Sequence, residues 1–377
     1  MRPMRLFGSF FLTALPLLAM ATPAAANPQI LFDLKTGQVI EHKDAFKRWY
    51  PASLTKLMTA YATFRAVQAG ELQLDSPIKV SKKAAGQPPS KMGYKAGSVM
   101  TLDNALKMML VKSANDIAFA IGENVGGSQA AFAERMNAEA RRLGMVGTHY
   151  VNPNGLFSTE QYTTARDLAI LVMALRNEFP QYAHYFSIEG LAVGKKAIQN
   201  YNLLIGRYPD ADGMKTGFVC ESGFNMIGTA TRKDRTLVAV VLGEQTAVTR
   251  AEAAAALLNQ GFGTSTGFTT TIDTLPAGGV DIFVPGNMRQ EICTKKPAEE
   301  QSEAADAAEA AKSPYLEKLD HAPALVKVGL GGATGPVPAA MVNAVEYADV
   351  PIPEWRPDLP PPPGFGAQGD RAATALN

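Results

Sequence analysis

The sequence has few cysteines and histidines and almost no net charge. Its 377 residues include two cysteines and four histidines, and the formal net charge is +1. A nearly neutral chain without a Lys/Arg stripe has no strong field that attracts nucleic acid, so we expect no nucleic-acid partner. The histidines are scattered and no His-Glu-x-x-His motif occurs, so we expect neither a metal nor another cofactor.

Long apolar runs are also scarce, and the one that stands out lies at the beginning of the chain. Two arginines precede an apolar run from Leu6 to Met20, and Ala24-Ala25-Ala26 provides small residues for cleavage. The run is short for a membrane span, and no charged stop-transfer patch follows it. We therefore predict that residues 1–26 are a signal peptide that is removed on export.

Export would bring the two cysteines, Cys220 and Cys293, into an oxidising compartment. We expect them to form a disulfide, which closes a long loop and would stabilise the fold by about 4 kcal/mol on loop-closure entropy. The alternative of two unrelated thiols stays open, because the sequence does not give the distance between them.

Periodicity predicts two β-hairpins and several helices. The first hairpin pairs Ile30–Leu34 with Gln38–Ile40, and the second pairs Phe224–Thr231 with Thr236–Leu242. Residues 250–262 have the pattern of a helix that follows the second hairpin.

A serine and a lysine three residues apart begin an apolar helix. Ser53 and Lys56 would lie on one helix face, a turn apart. A serine hydroxyl needs an adjacent base to attack at neutral pH, and a lysine amine can be that base when burial and nearby cations lower its pKa. Such a motif is common by chance, and a second match, Ser76-Pro77-Ile78-Lys79, is typical of a turn that enters a strand.

Two further motifs follow in order. Ser113-Ala114-Asn115 interrupts a helical pattern, although Ser113 and Asn115 could simply cap the next helix. Lys215-Thr216-Gly217 precedes the second hairpin, where a lysine and a hydroxyl suit a carboxylate and the glycine would let a ligand approach the backbone. The same letters at Lys35-Thr36-Gly37 lie in a hairpin turn ahead of the serine, which is the wrong chain order.

In this order and at these separations the motifs resemble those of the penicillin-recognising serine hydrolases. More narrowly, residues 28–262 resemble the exported D-alanyl-D-alanine carboxypeptidases, the low-molecular-weight penicillin-binding proteins. The resemblance implies an α+β fold, a β-lactamase/transpeptidase-like α/β/α sandwich with a central antiparallel sheet and an all-helical subdomain. It also implies peptidoglycan stem peptides ending in D-Ala-D-Ala as substrate, with β-lactams as inhibitors.

The resemblance assigns a role to each motif residue. Ser53 would attack the carbonyl of the penultimate D-alanine, Lys56 would take its proton, and Ser113 would relay a proton to the leaving amine. Backbone N–H groups of Ser53 and Phe218 would form the oxyanion hole. The residues expected to bind substrate are Asn115, Lys215, Thr216, Gly217 and Phe218.

Three alternative functions stay open: a DD-endopeptidase on peptidoglycan cross-links, a β-lactamase, and a non-catalytic peptidoglycan-binding protein. A class A β-lactamase would need a Glu-x-x-x-Asn pattern between the second and third motifs. The match at Glu221–Asn225 lies after the third motif, so we expect slow deacylation of β-lactams. A binding module would not need both a nucleophile and its base.

Composition divides the rest of the chain. We predict a carboxypeptidase domain at 27–263, a small β-like appendage at 264–296, and a mostly disordered tail at 297–377 that is rich in Ala, Glu and Pro. Many members of the resembled family end in a basic amphipathic helix, and this chain does not. That difference argues against membrane anchoring and favours a soluble periplasmic enzyme.

Overall fold

The computed structural model describes residues 27–264, 267–279, 282–294, 307–319 and 321–342, so the predicted signal peptide lies outside the described residues. In these ranges the α-helices are α1 Thr55–Gln68, α2 Lys82–Ala85, α3 Leu102–Val111, α4 Asn115–Gly126, α5 Gln129–Arg142, α6 Ala165–Glu178, α7 Ala247–Gly263, α8 Arg289–Cys293, α9 Ala307–Ala310 and α10 Ala339–Val342. Two 3-10 helices span Ala52–Leu54 and Pro180–Phe186. The strands are β1 Gln29–Asp33, β2 Val39–Lys43, β3 Pro77–Lys79, β4 Val99–Thr101, β5 Gly190–Val193, β6 Lys196–Gln199, β7 Ala211–Val219, β8 Gly223–Arg232, β9 Arg235–Glu244 and β10 Leu325–Lys327.

The central sheet has five strands in the order β2-β1-β9-β8-β7, and all neighbours are antiparallel. Both of its faces are covered. On one face, residues such as Met226 and Val241 pack against Ala254 and Leu258 of α7. On the other, residues such as Ile227 join the core formed by the helices from α1 to α6. The α/β/α sandwich implied by the resemblance is confirmed, and β7 is an edge strand of the sheet.

Both predicted hairpins are present. Strands β1 and β2 are joined by Lys35-Thr36-Gly37, where Gly37 has a φ of 70° and the Asp33 carboxylate accepts hydrogen bonds from the backbone N–H groups of Lys35 and Thr36, each at 3.1 Å. This second Lys-Thr-Gly sequence is therefore a turn, as its position predicted. Strands β8 and β9 are joined at Lys233 and Asp234.

Beyond Thr264 the described residues contact the domain through single bridges. Residues 267–279 and 282–294 contain no strand; they form single bridges from Thr271 to Gln38 and from Gly286 to Trp49, followed by α8. Backbone groups of this Thr-rich segment form these bridges because Gln38 and Trp49 each offer a backbone partner at the domain surface.

Part of the predicted tail is also ordered. Strand β10 pairs in parallel with β5 in a three-stranded sheet of order β10-β5-β6, and Leu316 is buried in the core beneath α7. Low-complexity composition predicted disorder, but the exposed edge of β5 supplies backbone partners that composition does not reveal. The remainder of 297–377 lies outside the described residues.

The predicted disulfide is confirmed. Cys220 and Cys293 are bonded, with their Cα atoms 5.7 Å apart, and the bond joins the end of β7 to α8. In the part of the chain that the structure describes, no helix combines the length and the apolar character that a bilayer span requires.

Candidate active site

Ser53 and Lys56 lie at the start of the buried helix α1. Ser53 belongs to the 3-10 helix that precedes α1, and Ala52 before it has a φ of 48°, a sharp turn for a residue with a side chain. The Nζ atom of Lys56 donates a hydrogen bond to Ser53 Oγ at 2.8 Å. Helical spacing therefore brings the two side chains together as predicted.

Three segments of the chain converge on the Lys56 side chain, which is fully buried. Besides the serine, its Nζ donates to Asn115 Oδ1 at 2.8 Å and to the carbonyl of Asn154 at 2.5 Å. Asn115 in turn donates from Nδ2 to the carbonyl of Pro88 at 3.1 Å. These contacts hold the nitrogen of the proposed base against the serine hydroxyl.

The second motif lies at the α3–α4 junction, as predicted. Ser113 has a left-handed φ of 61°, and its Oγ accepts a hydrogen bond from Lys215 Nζ at 3.0 Å. The alternative, that the motif merely caps α4, does not describe this geometry: the residue at the N-cap is Ala114, which makes no side-chain capping bond. The strained backbone at Ser113 instead aims the hydroxyl at the third motif.

The third motif lies on the edge strand β7 and packs against the serine. A Cβ atom added to Gly217 would lie 2.9 Å from the Ser53 nitrogen and 3.0 Å from that of Leu54. The glycine therefore lets the start of the helix approach the strand, whereas its sequence context predicts that it admits a ligand. Lys215 also donates to the carbonyl of Thr216 at 2.8 Å.

An open cleft of about 770 Å³ lies between these elements. The predicted site residues that line it are Ser53, Ser113, Asn115 and Phe218. The other predicted residues lie behind this surface and are buried: Lys56, Lys215, Thr216 and Gly217. All eight predicted residues are thus brought together, with the Ser53 hydroxyl at the cleft surface and two lysines behind it.

Sequence reasoning missed Asn154 and Gly155. Their Asn-Pro-Asn-Gly context signalled only a turn, yet the Asn154 carbonyl binds Lys56. Gly155 has a φ of 85°, and an added Cβ would lie 1.9 Å from the Ala52 carbonyl oxygen. This turn therefore presses against the residue that precedes the serine, and only glycine fits there.

Arg250 was also missed, since it appeared only as part of a helical pattern. Its buried guanidinium lies behind β7, where it donates to the carbonyl of Gly217 at 3.4 Å and to that of Tyr201 at 3.5 Å. It also faces the ring of Phe224, with 5.5 Å to the centroid. Together with Lys215 it places positive charge beside the third motif.

Asp212 anchors the beginning of the same strand. Burial raises the pKa of its carboxyl, but hydrogen bonds from Arg176, Thr229 and Thr231 and the Arg176 charge outweigh burial and hold the pKa below its usual value. The Arg176 Nη2 atom lies 3.1 Å from Asp212 Oδ2, and Thr231 Oγ1 lies 2.7 Å from the same oxygen. The carboxylate is therefore charged and ties α6 to strands β7 and β8.

Solved structures identify the class of this fold, that of the penicillin-binding proteins. Penicillin binding protein 5 from Haemophilus influenzae is 29% identical, with a TM-score of 0.60 over 64% of this chain and 72% of that one. Penicillin-Binding Protein D2 from Listeria monocytogenes, solved in an ampicillin-bound form, is 30% identical, with a TM-score of 0.56 over 63% of this chain and 97% of that one.

The chain belongs to the D-alanyl-D-alanine carboxypeptidase family, peptidase family S11, whose family model matches residues 18–246. Among curated relatives, the D-alanyl-D-alanine carboxypeptidase DacC of Escherichia coli is 34% identical over 244 residues, which is 63% of this chain and 61% of the relative. DacB2 of Mycobacterium tuberculosis is 31% identical over 224 residues, 58% of this chain and 74% of the relative. The match thus spans about three fifths of the length of DacC.

Proposed function

We propose that the chain is a serine-type D-alanyl-D-alanine carboxypeptidase that removes the terminal D-alanine of peptidoglycan stem peptides. The observation that carries the proposal is the 2.8 Å hydrogen bond from Lys56 Nζ to Ser53 Oγ at the floor of a cleft. Membership of the family and the names of the curated relatives support the same substrate.

Acylation uses the first two motifs. Ser53 Oγ attacks the carbonyl carbon of the penultimate D-alanine while Lys56, acting as an amine, takes the hydroxyl proton. Backbone N–H groups of Ser53 and Phe218 stabilise the charge that develops on the carbonyl oxygen. The C–N bond then breaks, and the proton that Lys56 took from Ser53 reaches the leaving amine of D-alanine by way of the Ser113 hydroxyl, which is reprotonated as it donates.

Binding of the substrate terminus uses the third motif. Lys215 and Thr216 would hold the terminal carboxylate, because an ammonium and a hydroxyl both donate to an anion. The Arg250 guanidinium behind the strand adds favourable charge at the same end. A carboxylate held there places the scissile carbonyl next to Phe218, two residues along β7, where Ser53 also lines the cleft.

Water then hydrolyses the acyl-enzyme with Lys56 as base. The Glu221 carboxylate lies in the cleft wall but is occupied by Arg289, whose Nε and Nη2 lie 2.7 and 2.6 Å from Glu221 Oε1. The Glu221 side chain is also only 4% exposed, so its carboxylate is not placed to contact a water beside the acyl-enzyme. We therefore expect β-lactams to acylate Ser53 and to leave slowly, as inhibitors.

Intact-protein mass spectrometry with a penicillin, beside Ser53→Ala, tests the proposal, together with an assay for D-alanine released from a D-Ala-D-Ala peptide. We expect one penicilloyl mass on the wild type, none on the variant, and D-alanine only from the wild type. An unmodified protein with intact penicillin would reject the acyl-enzyme. Rapidly hydrolysed penicillin without an adduct would indicate a β-lactamase instead.

We further propose that the protein is exported and acts in the periplasm. The support is the pattern of residues 1–26, together with the D-alanyl-D-alanine carboxypeptidases among the relatives. N-terminal sequencing of the protein from the periplasmic fraction should give a chain that starts near Asn27. An intact Met1 on the protein from that fraction would contradict removal of a leader.

A further inference from the structure

Arg289 lies on the wall of the cleft, and three contacts fix its place. Helix α8 is tied to the end of β7 by the Cys220–Cys293 disulfide. The preceding residue, Met288, donates its backbone N–H to the Glu221 carbonyl at 2.9 Å. The guanidinium itself lies on the Glu221 carboxylate, with Nη2 to Oε1 at 2.6 Å.

The two members of this ion pair differ in exposure. The side chain of Glu221 is 4% exposed and that of Arg289 is 57% exposed, so the carboxylate lies underneath and the guanidinium faces the cleft. Glu221 receives the Nε and Nη2 donors, and in the described part of the chain Nη1 has no partner. Because Glu221 already fixes this side chain, the remaining N–H donors of the guanidinium can bind a ligand with little further loss of conformational entropy.

The direction of the substrate places Arg289 upstream of the scissile bond. A peptide whose terminal carboxylate is held by Lys215 and Thr216 and whose reacting carbonyl lies at Phe218 runs antiparallel along the edge of β7. Each residue advances about 3.3 Å, so the residue that precedes D-alanyl-D-alanine comes level with Val219, one position beyond Phe218. Val219 lines the cleft together with Glu221 and Arg289, so the side chain of that residue lies within reach of Arg289.

The charge of the cleft points to an acidic ligand. Its charged lining comprises three cationic side chains, Lys91, Lys112 and Arg289, and one carboxylate, Glu221. Lys112 lies across the cleft and donates to the Tyr201 hydroxyl at 2.6 Å, which holds its ammonium in place. Since the single carboxylate is already paired, the lining has a surplus of positive charge.

We propose that Arg289 is a specificity-determining residue that binds a free carboxylate on the side chain of the residue immediately upstream of D-alanyl-D-alanine. The inference rests on the proposed function and defines its substrate class as acidic peptides. A planar guanidinium binds a carboxylate through paired hydrogen bonds, whereas an amide of the same shape lacks the charge and one acceptor.

Two isosteric peptide pairs test this in the full mature protein. The first compares acetyl-L-glutamyl-D-alanyl-D-alanine with its glutaminyl counterpart, and the second compares the corresponding L-2-aminoadipyl acid and amide, which reach one methylene further. We expect the wild type to prefer the acid in at least one pair by about 5- to 10-fold in kcat/KM for D-alanine release. Arg289→Gln should abolish the preference, and Arg289→Lys should retain part of it.

Arg141→Gln is the matched control, because it removes one positive charge from an exposed position at the end of α5, outside the cleft. It should keep the acid preference. Equal treatment of acid and amide by the wild type would overturn the inference, as would a loss in Arg289→Gln that is equal for both members of each pair. Loss of the preference in Arg141→Gln would also overturn it, because the effect would then be one of overall charge.

Penicillin separates failure of the inference from failure of the proposed function. A penicilloyl adduct on Ser53 together with D-alanine release, but without acid preference, would reject only the role of Arg289. Absence of both the adduct and D-alanine release would reject the proposed function and the inference with it.

Discussion

The Lys56 nitrogen lies 2.8 Å from the Ser53 hydroxyl oxygen and is held there by acceptors from two other segments, Asn115 and Asn154. Helix geometry alone places a lysine one turn from a serine, but it does not fix the end of a long, flexible side chain. The two outer contacts supply that constraint, so the position of the base depends on the α4 start and on the turn at residues 152–155.

Replacing Lys56 with methionine should therefore remove catalysis while keeping the shape of the core. General-base catalysis contributes about 10²- to 10⁴-fold, so we expect kcat/KM for D-alanine release and the rate of penicillin acylation to fall by about 10³-fold. Lys83→Met, at an exposed position on α2, is the control and should retain both rates. Near-wild-type acylation in Lys56→Met would show that another group takes the proton.

Gly155→Ala should damage both stability and acylation. The new methyl would collide with the Ala52 carbonyl oxygen, 1.9 Å away, at a residue whose φ is 85°. We expect the free energy of unfolding to fall by about 3 kcal/mol. Acylation by penicillin should also be slower, because Ser53 directly follows Ala52. Urea denaturation and stopped-flow acylation measure the two effects.

Gly144→Ala separates backbone strain from collision. Gly144 has a similar φ of 75°, but nothing lies within 4 Å of an added Cβ. The free energy of unfolding of Gly144→Ala should fall by only about 1 kcal/mol, and the variant should be acylated by penicillin at the wild-type rate. If both variants behaved alike, the contact with Ala52 would not matter.

Contacts between residues close in sequence could be predicted from the sequence, whereas contacts between distant residues could not. The Ser53–Lys56 pair depends on helical periodicity and the β8–β9 hairpin on local alternation, so both were predictable. The contacts of Asn154 with Lys56 and of Arg250 with Gly217 join residues 98 and 33 positions apart, and no local pattern signals them. Chain order was needed to choose between the two Lys-Thr-Gly sequences, since the letters alone are the same.

Strand β10 is a further long-range contact that no local pattern signals. Strand β10 exists because the edge of β5, more than a hundred residues earlier, offers it a partner. Its own three residues, Leu325-Val326-Lys327, are too few to show a strand period. Neither composition nor a local pattern therefore signals this strand.

Removing the disulfide should destabilise the domain. Cys220 and Cys293 are 73 positions apart, and opening a loop of that length costs about 4 kcal/mol on loop-closure entropy. We expect Cys220→Ser/Cys293→Ser to unfold at lower urea concentration than the wild type. A reducing agent should lower the wild-type midpoint and leave that of the double variant unchanged; an unchanged wild-type midpoint would contradict a stabilising bond.

As the pH is lowered, the protein should lose the stability that the Asp212 carboxylate contributes. The folded pKa of this carboxyl is held below its usual value, so between that pKa and about 3.9, the unfolded reference, the unfolded state binds more protons. Its stabilising contribution is therefore present above about pH 4 and is lost as the pH falls through the folded pKa. Asp212→Asn should lower the free energy of unfolding by about 2 kcal/mol at pH 7, because charged hydrogen bonds to Arg176, Thr229 and Thr231 are lost.

The difference between Asp212→Asn and the wild type should therefore shrink as urea titrations are repeated from pH 7 towards pH 3. Asp234→Asn, an exposed carboxylate in the β8–β9 turn, is the control and should leave the pH dependence unchanged. A wild-type advantage that grew on acidification would mean that the folded state favours the protonated carboxyl. Burial would then outweigh Arg176, and β7, which leads directly to Lys215, would be anchored by a neutral acid instead of an ion pair.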